Sequence, residues 1–154
     1  MTAKGILVVV DDPGWRRFRG LVPKLKRAAA AAAKAAGFRG AYSLTVLLSS
    51  DRRLKVLNRD FRGLDQTTNV LSFPAAPNKE KYHGDVALAL GVTRKEAKAE
   101  SKRIADHATH LVVHGVLHLA GYDHSHDRDA KVMEALEVQI LHRLGITNPY
   151  EVAR

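Results

Sequence analysis

The stretch HGVLHLAGYDH, residues 114–124, carries three histidines with offsets of four and then six positions. On an α-helix, His114 and His118 lie one turn apart on the same face, so both imidazoles can reach one ion. The helix cannot continue and also bring His124 to that ion, so the chain must turn sharply, and Gly121 suits such a turn. The pattern predicts a helix that ends near Gly121 and a three-histidine zinc site. Its fourth position would be left to water, which is typical of catalytic zinc.

The same offsets occur in the zinc-peptidase pattern H-E-x-x-H-x-x-G-x-x-H, with one difference. In those enzymes the residue after the first histidine is the glutamate that activates water, whereas this chain has Gly115. Because a glycine cannot accept a proton, the ligands are present and the peptidase base is missing. A peptidase that takes its base from elsewhere is therefore kept as an alternative. Met133 lies in a helical stretch with apolar spacing, and we interpret it as a core residue rather than the methionine turn of such peptidases.

The composition favours one soluble domain, over residues 1–154, with a polyanionic partner. The chain has no cysteine, so a zinc site must use His, Asp or Glu ligands. Its 25 Lys and Arg residues exceed its 16 Asp and Glu residues, and the net charge of +9 favours nucleic acid, although a generally basic surface is the alternative. No stretch approaches the roughly 18 apolar residues of a membrane span, and the start lacks a signal-peptide pattern. We therefore expect a cytoplasmic protein without a membrane partner.

Basic residues concentrate in three groups along the chain. The third group recurs along a predicted helix, where it could follow a phosphate backbone or form a solvated face. The groups are Arg16, Arg17 and Arg19; Lys24, Lys26 and Arg27; and Arg94, Lys95, Lys98, Lys102 and Arg103.

Apolar periodicity and turn residues predict an α+β order of elements. Ser50 and Asp51 can cap a short helix, and Thr93 with Glu96 forms a capping box for a later one. We predict a single domain in which a mixed sheet of about four strands packs with about five helices, one of them carrying the zinc-hydrolase-like metal site and its turn. The predicted strands span 5–11, 41–49, 69–75 and 83–90, and the predicted helices span 21–37, 51–61, 104–120 and 128–144, with one more capped at Thr93.

Four segments taken together resemble a known family. LNRDFRGLDQTTNVLSFPA at 57–75, HGDVAL at 83–88, the histidine run, and the ending LEVQILHRLGITNPY at 136–150 follow in an order and spacing similar to the YbeY family. The members of this family are bacterial zinc-dependent endoribonucleases linked to ribosomal RNA maturation. The resemblance covers about residues 54–150, and the first third of the chain carries no segment that resembles the family.

The resemblance implies a zinc-dependent endoribonuclease domain that cleaves single-stranded RNA, processes the 3′ end of small-subunit ribosomal RNA and serves ribosome quality control. It implies one zinc ion per chain, held by His114, His118 and His124, and the ribosomal small subunit as a partner. It also places an active-site arginine at Arg62, whose planar guanidinium can hold two phosphate oxygens. We expect Arg62 and His114 to be catalytic, although an arginine at a helix end could simply favour the helix dipole.

Two alternatives stay open at this point: a metallohydrolase of another substrate, including the peptidase, and a non-catalytic ribosome-assembly factor in which zinc only fixes the fold. Three further residues have open roles. Asp85 could be structural or functional, Asp123 could orient an imidazole, and His110 could replace a ligand or line the cleft beside the ligands. The attacking group, either water or the ribose 2′-hydroxyl, and the oligomeric state are also open.

Overall fold

A computed structural model describes residues 5–151 of the chain, so both ends of the predicted domain, 1–154, lie outside the described residues. Within them, four strands form one mixed sheet. The strands are β1 (Gly5–Val10), β2 (Ser43–Ser49), β3 (Val70–Pro74) and β4 (Tyr82–Ala89). Their order in the sheet is β1–β2–β4–β3. β2 pairs in parallel with β1 and β4, whereas β3 runs antiparallel to β4. The predicted α+β class and mixed sheet are confirmed.

Five α-helices pack with this sheet, as predicted. They are α1 (Leu21–Ala35), α2 (Asp51–Arg62), α3 (Leu90–Ala99), α4 (Ile104–Leu119) and α5 (Asp127–Arg143). The Ser50 side chain caps α2 as expected, by accepting a hydrogen bond from the Arg53 amide at 3.1 Å. A short 3₁₀ helix over Pro13–Arg17, which the apolar pattern does not predict, precedes α1. Across residues 5–151, no helix is both long and apolar enough to cross a membrane.

Helix α3 begins earlier than predicted, at Leu90, and the predicted capping box of Thr93 and Glu96 is wrong. β4 runs directly into α3, so Ala89 occupies the N-cap position and no polar loop residue is available there. Thr93 lies inside the helix, where its hydroxyl donates to the Ala89 carbonyl oxygen at 2.6 Å. The Glu96 carboxylate accepts instead from the side-chain amide of Asn69 at 3.0 Å, which ties α3 to the start of β3.

One face of the sheet is covered by helices, with α4 packed against β3, β4, α1, α3 and α5. The alanine run of α1 allows a close approach, because small side chains keep the helix axes near each other. The alanines that face this core, Ala28, Ala29, Ala32 and Ala33, are fully buried. On α4 itself, His110, His114 and His118 form a partly exposed stripe between buried positions. The packing of α4 therefore fixes the direction in which this stripe faces.

The opposite face of the sheet is covered by α2 at one end. The small apolar cluster beneath α2 contains Leu54, Leu71, Ala87 and Ala89. Beyond this cluster the face is open, and Leu7 and Val9 of β1 are 49% and 38% exposed there. The register places Val9 beside Leu47 of β2, so these side chains share the open face.

Candidate metal centre

The end of α4 brings the three predicted histidines together. After Leu119, the Gly121 amide donates to the His118 carbonyl oxygen at 3.0 Å and the Tyr122 amide donates to the Leu117 carbonyl oxygen at 3.1 Å. These two bonds form a Schellman motif, which requires a left-handed residue, and Gly121 has φ +97°. The predicted turn at Gly121 is confirmed. It directs the following loop back over the helix end, so that His124 faces the other two imidazoles.

One ring nitrogen from each of His114, His118 and His124 lies within 4.8 Å of the others, so this group could hold a metal ion. The Nε2 atoms of His114 and His118 are 3.0 Å apart. Two imidazole nitrogens on a tetrahedral zinc ion, with bonds of about 2.0–2.1 Å, stand about 3.3 Å apart. The two helix ligands are thus already near the separation that a small divalent cation requires. The predicted convergence of the three side chains is confirmed, whereas the identity of the ion stays a prediction.

Glu137 of α5 orients the first of these imidazoles. Its carboxylate accepts from His114 Nδ1 at 2.7 Å and from His110 Nε2 at 2.8 Å, and it also accepts from the Tyr150 hydroxyl. The residue is fully buried. A neutral His114 that donates from Nδ1 leaves the Nε2 lone pair free for an ion, which is the usual arrangement of a metal-bound histidine. No local sequence pattern predicts this role, although a glutamate among the apolar positions of α5 is a signal for it.

The electrostatics of the site favour an ionised Glu137 and a neutral His118. Burial raises the pKa of Glu137, but the hydrogen bonds from His110 and His114, the charge of His114 and the Tyr150 hydrogen bond outweigh it and hold this pKa at about 2. Burial also lowers the pKa of His118, and the neighbouring imidazoles His114 and His124 lower it further. A lowered histidine pKa keeps the ring neutral, which is the form that binds metal.

Gly115, where a zinc peptidase has its glutamate, is pressed against the sheet. A Cβ atom at this position would lie 2.4 Å from Val86 Cγ1 and 3.2 Å from Ser72 Oγ. The Ser72 hydroxyl donates to the Gly115 carbonyl oxygen at 2.9 Å, which holds α4 on the sheet. The position therefore has no room for a glutamate, and the absence of the peptidase base follows from how α4 packs.

Arg62 lies in the same cleft as the three histidines. This cleft has a volume of about 550 Å³ and is lined by Arg62, Thr68, Asn69, Val70, Ser72, Pro74, His114, His118, Asp123, His124 and Ser125. Arg62 is exposed at the end of α2, which Gly63 terminates with φ +70°. Within residues 5–151, no carboxylate lies within salt-bridge distance of its guanidinium, so the guanidinium can bind an anion in the cleft. Its catalytic role stays a prediction.

The three residues with open roles have distinct contacts. Asp123 does not orient an imidazole; its carboxylate accepts from the backbone amide of His124 at 2.7 Å and from the Ser125 hydroxyl at 2.6 Å. It therefore shapes the loop that carries His124. His110 lies beside the ligands, bonded to Glu137, and is not part of the three-histidine group. Asp85 accepts a hydrogen bond from the Tyr82 hydroxyl and lines a second groove, described below.

The fold and this site define a class of protein: an α+β domain with a three-histidine group, able to hold a metal ion, at the end of a helix. The sequence model of the family described as endoribonuclease YbeY matches residues 19–145. The chain belongs to the endoribonuclease YbeY family, and the resemblance predicted from its sequence is confirmed.

Individual relatives agree with this family. The endoribonuclease YbeY of Maricaulis maris (strain MCS10) is 41% identical, with 93% of this chain and 89% of the relative covered. The endoribonuclease YbeY of Bradyrhizobium diazoefficiens is 44% identical, with 94% of this chain and 83% of the relative covered. The fold is similar to the solution structure of TM1509 from Thermotoga maritima, with a TM-score of 0.62 and 25% sequence identity. The match covers 95% of this chain and 99% of the TM1509 chain.

Proposed function

We propose that this protein is a zinc-dependent endoribonuclease that cleaves single-stranded RNA during ribosomal RNA maturation. The observation that carries the proposal is the convergence of the three histidine nitrogens within 4.8 Å, in a cleft that also contains Arg62. The family name supports RNA as the substrate. The net charge of +9 supports a polyanionic partner.

The residues of the cleft have separate tasks in this proposal. A bound divalent cation supplies a Lewis acid that polarises a phosphoryl oxygen and acidifies a water molecule. His114, His118 and His124 hold that cation, and Glu137 fixes the His114 ring so that its Nε2 faces the ion. Arg62 binds the scissile phosphate or its neighbour and stabilises the negative charge that develops there. His114 is catalytic in this proposal because it both holds the ion and lines the cleft beside Arg62.

A basic cleft outside the metal centre supports a long polyanionic substrate. Arg94, Lys95 and Lys98 are exposed on α3. They line this cleft together with Arg17 and Lys102. Such a cluster can bind the phosphate backbone of RNA beyond the cleavage site, with an affinity that falls as salt rises.

The processing of the 3′ end of small-subunit ribosomal RNA, ribosome quality control, the small subunit as partner and a cytoplasmic location also belong to this proposal. Their support is the family resemblance. The proposal predicts cleavage of a transcript that carries this 3′ end, at one position and with no requirement for a duplex. A peptidase with its base at the usual position is ruled out, because Gly115 has no space for a side chain. A metallohydrolase that takes its base from elsewhere stays an alternative, and metal-dependent turnover of a peptide library would favour it.

The decisive experiment measures zinc content and RNA cleavage on the same preparation. We expect about one zinc ion per chain in the wild type, and loss of both zinc and cleavage in His118→Ala. His142→Ala is the matched control, because His142 is exposed on α5 and lies outside the three-histidine group. A wild-type protein that binds zinc and cleaves none of a varied set of RNAs would refute the nuclease proposal. The non-catalytic assembly factor would then be favoured, most directly if a folded Arg62→Ala protein restored ribosome assembly.

The attacking group can be identified with a modified substrate. If the ribose 2′-hydroxyl attacks, a single deoxyribose at the cleavage site abolishes cutting there. If water attacks, the same substitution is tolerated. Product ends, read by mass spectrometry, provide an independent check, because attack by the 2′-hydroxyl leaves a cyclic phosphate or its hydrolysis product.

A further inference from the structure

A groove on the open face of the sheet adjoins the metal centre. Its volume is about 660 Å³, within the range of roughly 300–1,000 Å³ that small-molecule sites occupy. It shares Arg62, Ser72 and Pro74 with the cleft of the three histidines, so the two lie next to each other. Its lining is Leu47, Arg53, Leu57, Phe61, Arg62, Ser72, Phe73, Pro74, Asp85 and Ala87. Nothing in the proposed chemistry at the metal centre requires this groove.

The floor of the groove is apolar with one polar position. Asp85 of β4 pairs with Phe73 of β3 on one side and with Thr45 of β2 on the other, and Ala87 pairs with Leu47. Residues opposite each other on neighbouring strands share a face, so all of these side chains belong to the open face. The result is an acidic group set between the Phe73 ring and the Thr45 side chain, with the aliphatic side chains of Leu47 and Ala87 beside it.

The wall of the groove comes from α2. Arg53, Leu57 and Phe61 are spaced four residues apart, so they lie one above another on the helix face that overlooks the sheet. Phe61 is 70% exposed. Its ring packs on Phe73 in a T-shaped contact, with centroids 5.5 Å apart at 66°, and remains largely exposed where it lines the groove. An exposed aromatic ring beside an anion-binding cleft is suited to stacking on a planar ring.

The charges in the groove favour a base over a phosphate at its floor. Arg53 and Arg62 lie near opposite ends of α2 and both line the groove, so the phosphates of a strand bound there have two guanidinium groups within the lining. The Asp85 carboxylate on the floor repels phosphate and accepts hydrogen bonds. The Tyr82 hydroxyl, which also bonds to the Thr45 hydroxyl group at 2.9 Å, donates to this carboxylate and holds it in place. An ionised carboxylate is an acceptor only, so it selects ring edges that present N–H groups.

We propose that this groove binds one unpaired base of the RNA substrate, next to the phosphate at the metal centre. Phe61 stacks on the base, Arg62 joins the two sites, and Asp85 accepts from an exocyclic amino group. Guanine, adenine and cytosine, which carry an exocyclic amino group, are therefore preferred at this position over uracil, whose one ring N–H lies between two carbonyl oxygens that an anionic carboxylate repels. The inference deepens the proposed function and rests on it, since a nuclease gives the bound strand its reason to enter the adjacent cleft.

The test measures affinity separately from cleavage. Fluorescence anisotropy gives the Kd of the intact protein for a thymidine hexamer and for the same hexamer with one central deoxyguanosine, deoxyadenosine or deoxycytidine. Thymine, like uracil, has no exocyclic amino group. We expect the wild type to bind the substituted hexamers more tightly. Base–aromatic stacking predicts that Phe61→Ala raises every Kd at least about fivefold. Asp85→Asn is expected to remove the preference for bases with an exocyclic amino group, because an amide both donates and accepts.

Val132→Ala is the matched control, since Val132 is 55% exposed on α5, outside the groove. Circular dichroism and thermal unfolding establish that each variant is folded. Equal Kd values for wild type and Phe61→Ala, or a wild type with no preference among the hexamers, would overturn the inference even if RNA cleavage is normal. Conversely, binding that depends on Phe61 and Asp85 in a protein that cleaves no RNA would support the base site and refute the nuclease proposal. If the groove binds a protein partner instead of a base, we expect equal Kd values for the wild type and Phe61→Ala.

Discussion

Glu137→Gln is expected to weaken metal binding at the three-histidine site without disrupting the fold. The carboxylate accepts from His114 Nδ1 at 2.7 Å, from His110 Nε2 at 2.8 Å and from the Tyr150 hydroxyl. Glutamine keeps one oxygen acceptor and replaces the other with an NH₂ donor. The Tyr150 hydroxyl can accept from that NH₂ group, and His110 can do so by changing its tautomer. His114 then keeps a neutral amide oxygen as partner, in place of a charged carboxylate.

The expected magnitude follows from these contacts. Partners of metal-bound histidines typically contribute 10- to 100-fold to metal affinity, so the Kd for zinc should rise by about that factor, or about 1.4–2.7 kcal/mol. Alanine would be a poorer test. It would leave three buried donors without an acceptor, at a cost of about 1–3 kcal/mol each. That total approaches the whole unfolding free energy of a small domain, about 5–15 kcal/mol.

Zinc affinity is best measured by competition with a chelator of known affinity, on protein whose folding is followed by circular dichroism. Glu134→Gln is the control, because it removes the same charge from an exposed position on α5. Its Kd should equal that of the wild type. A folded Glu137→Gln protein with wild-type zinc affinity would show that the hydrogen bond to His114 does not orient the ligand, and our account of the site would be wrong.

Three further perturbations address other parts of the structure. Arg62→Ala should lower kcat for RNA cleavage by about 10²–10³-fold with zinc content unchanged. Arg62→Lys should recover only part of this loss, because lysine lacks the planar guanidinium. Equal kcat values for the wild type and both variants would exclude a role of Arg62 in charge stabilisation. Gly115→Ala places a Cβ 2.4 Å from Val86 Cγ1 and should lower the free energy of unfolding, measured with urea, by about 1–3 kcal/mol. The decrease should be smaller in a Val86→Ala background. An equal decrease in both backgrounds would contradict the steric explanation. The pKa of His83, which stacks on Phe38 with ring centroids 3.8 Å apart, is lowered by burial from its ordinary value of 6.5. The midpoint of its NMR titration should move towards 6.5 in Phe38→Ala. The unfolding free energy of the wild type should fall as the pH drops through 6.5, because the unfolded chain binds the proton first. A wild-type midpoint at or above 6.5 would contradict the lowered pKa of His83.

The parts of the fold that could be predicted from the sequence are those set by short-range signals. The offset between His114 and His118 places both on one helix face whatever the helix packs against. Gly121 terminates that helix through bonds that span only a few residues. The strands and the helices were likewise predicted to within a few residues, because their apolar periodicity is local.

Predictions that depended on partners distant in the sequence were less successful. Thr93 and Glu96 have the residue types of a capping box, but β4 continues straight into α3, so the helix begins before them. Glu96 is thereby free to accept from Asn69, which immediately precedes β3. Asp123 had the right chemistry to orient an imidazole, yet the tight loop after Gly121 turns its carboxylate towards the backbone of the loop. In both cases the side chain bonded to the groups that the backbone brought closest.

Glu137 illustrates why the most consequential contact of the site was missed. It lies 23 residues from His114, on a different helix, so no local pattern joins them. Its position was nevertheless informative: Met133, Glu137, Ile140 and Leu141 are the buried residues of α5, and a carboxylate within such a stripe is costly unless it is paired. The imidazoles of α4 provide that pairing, and the low pKa of the carboxylate, about 2, is the result. A buried acid on one helix therefore predicts a polar partner on a neighbouring helix, here the histidine stripe of α4, because a carboxylate is not stable in a core alone.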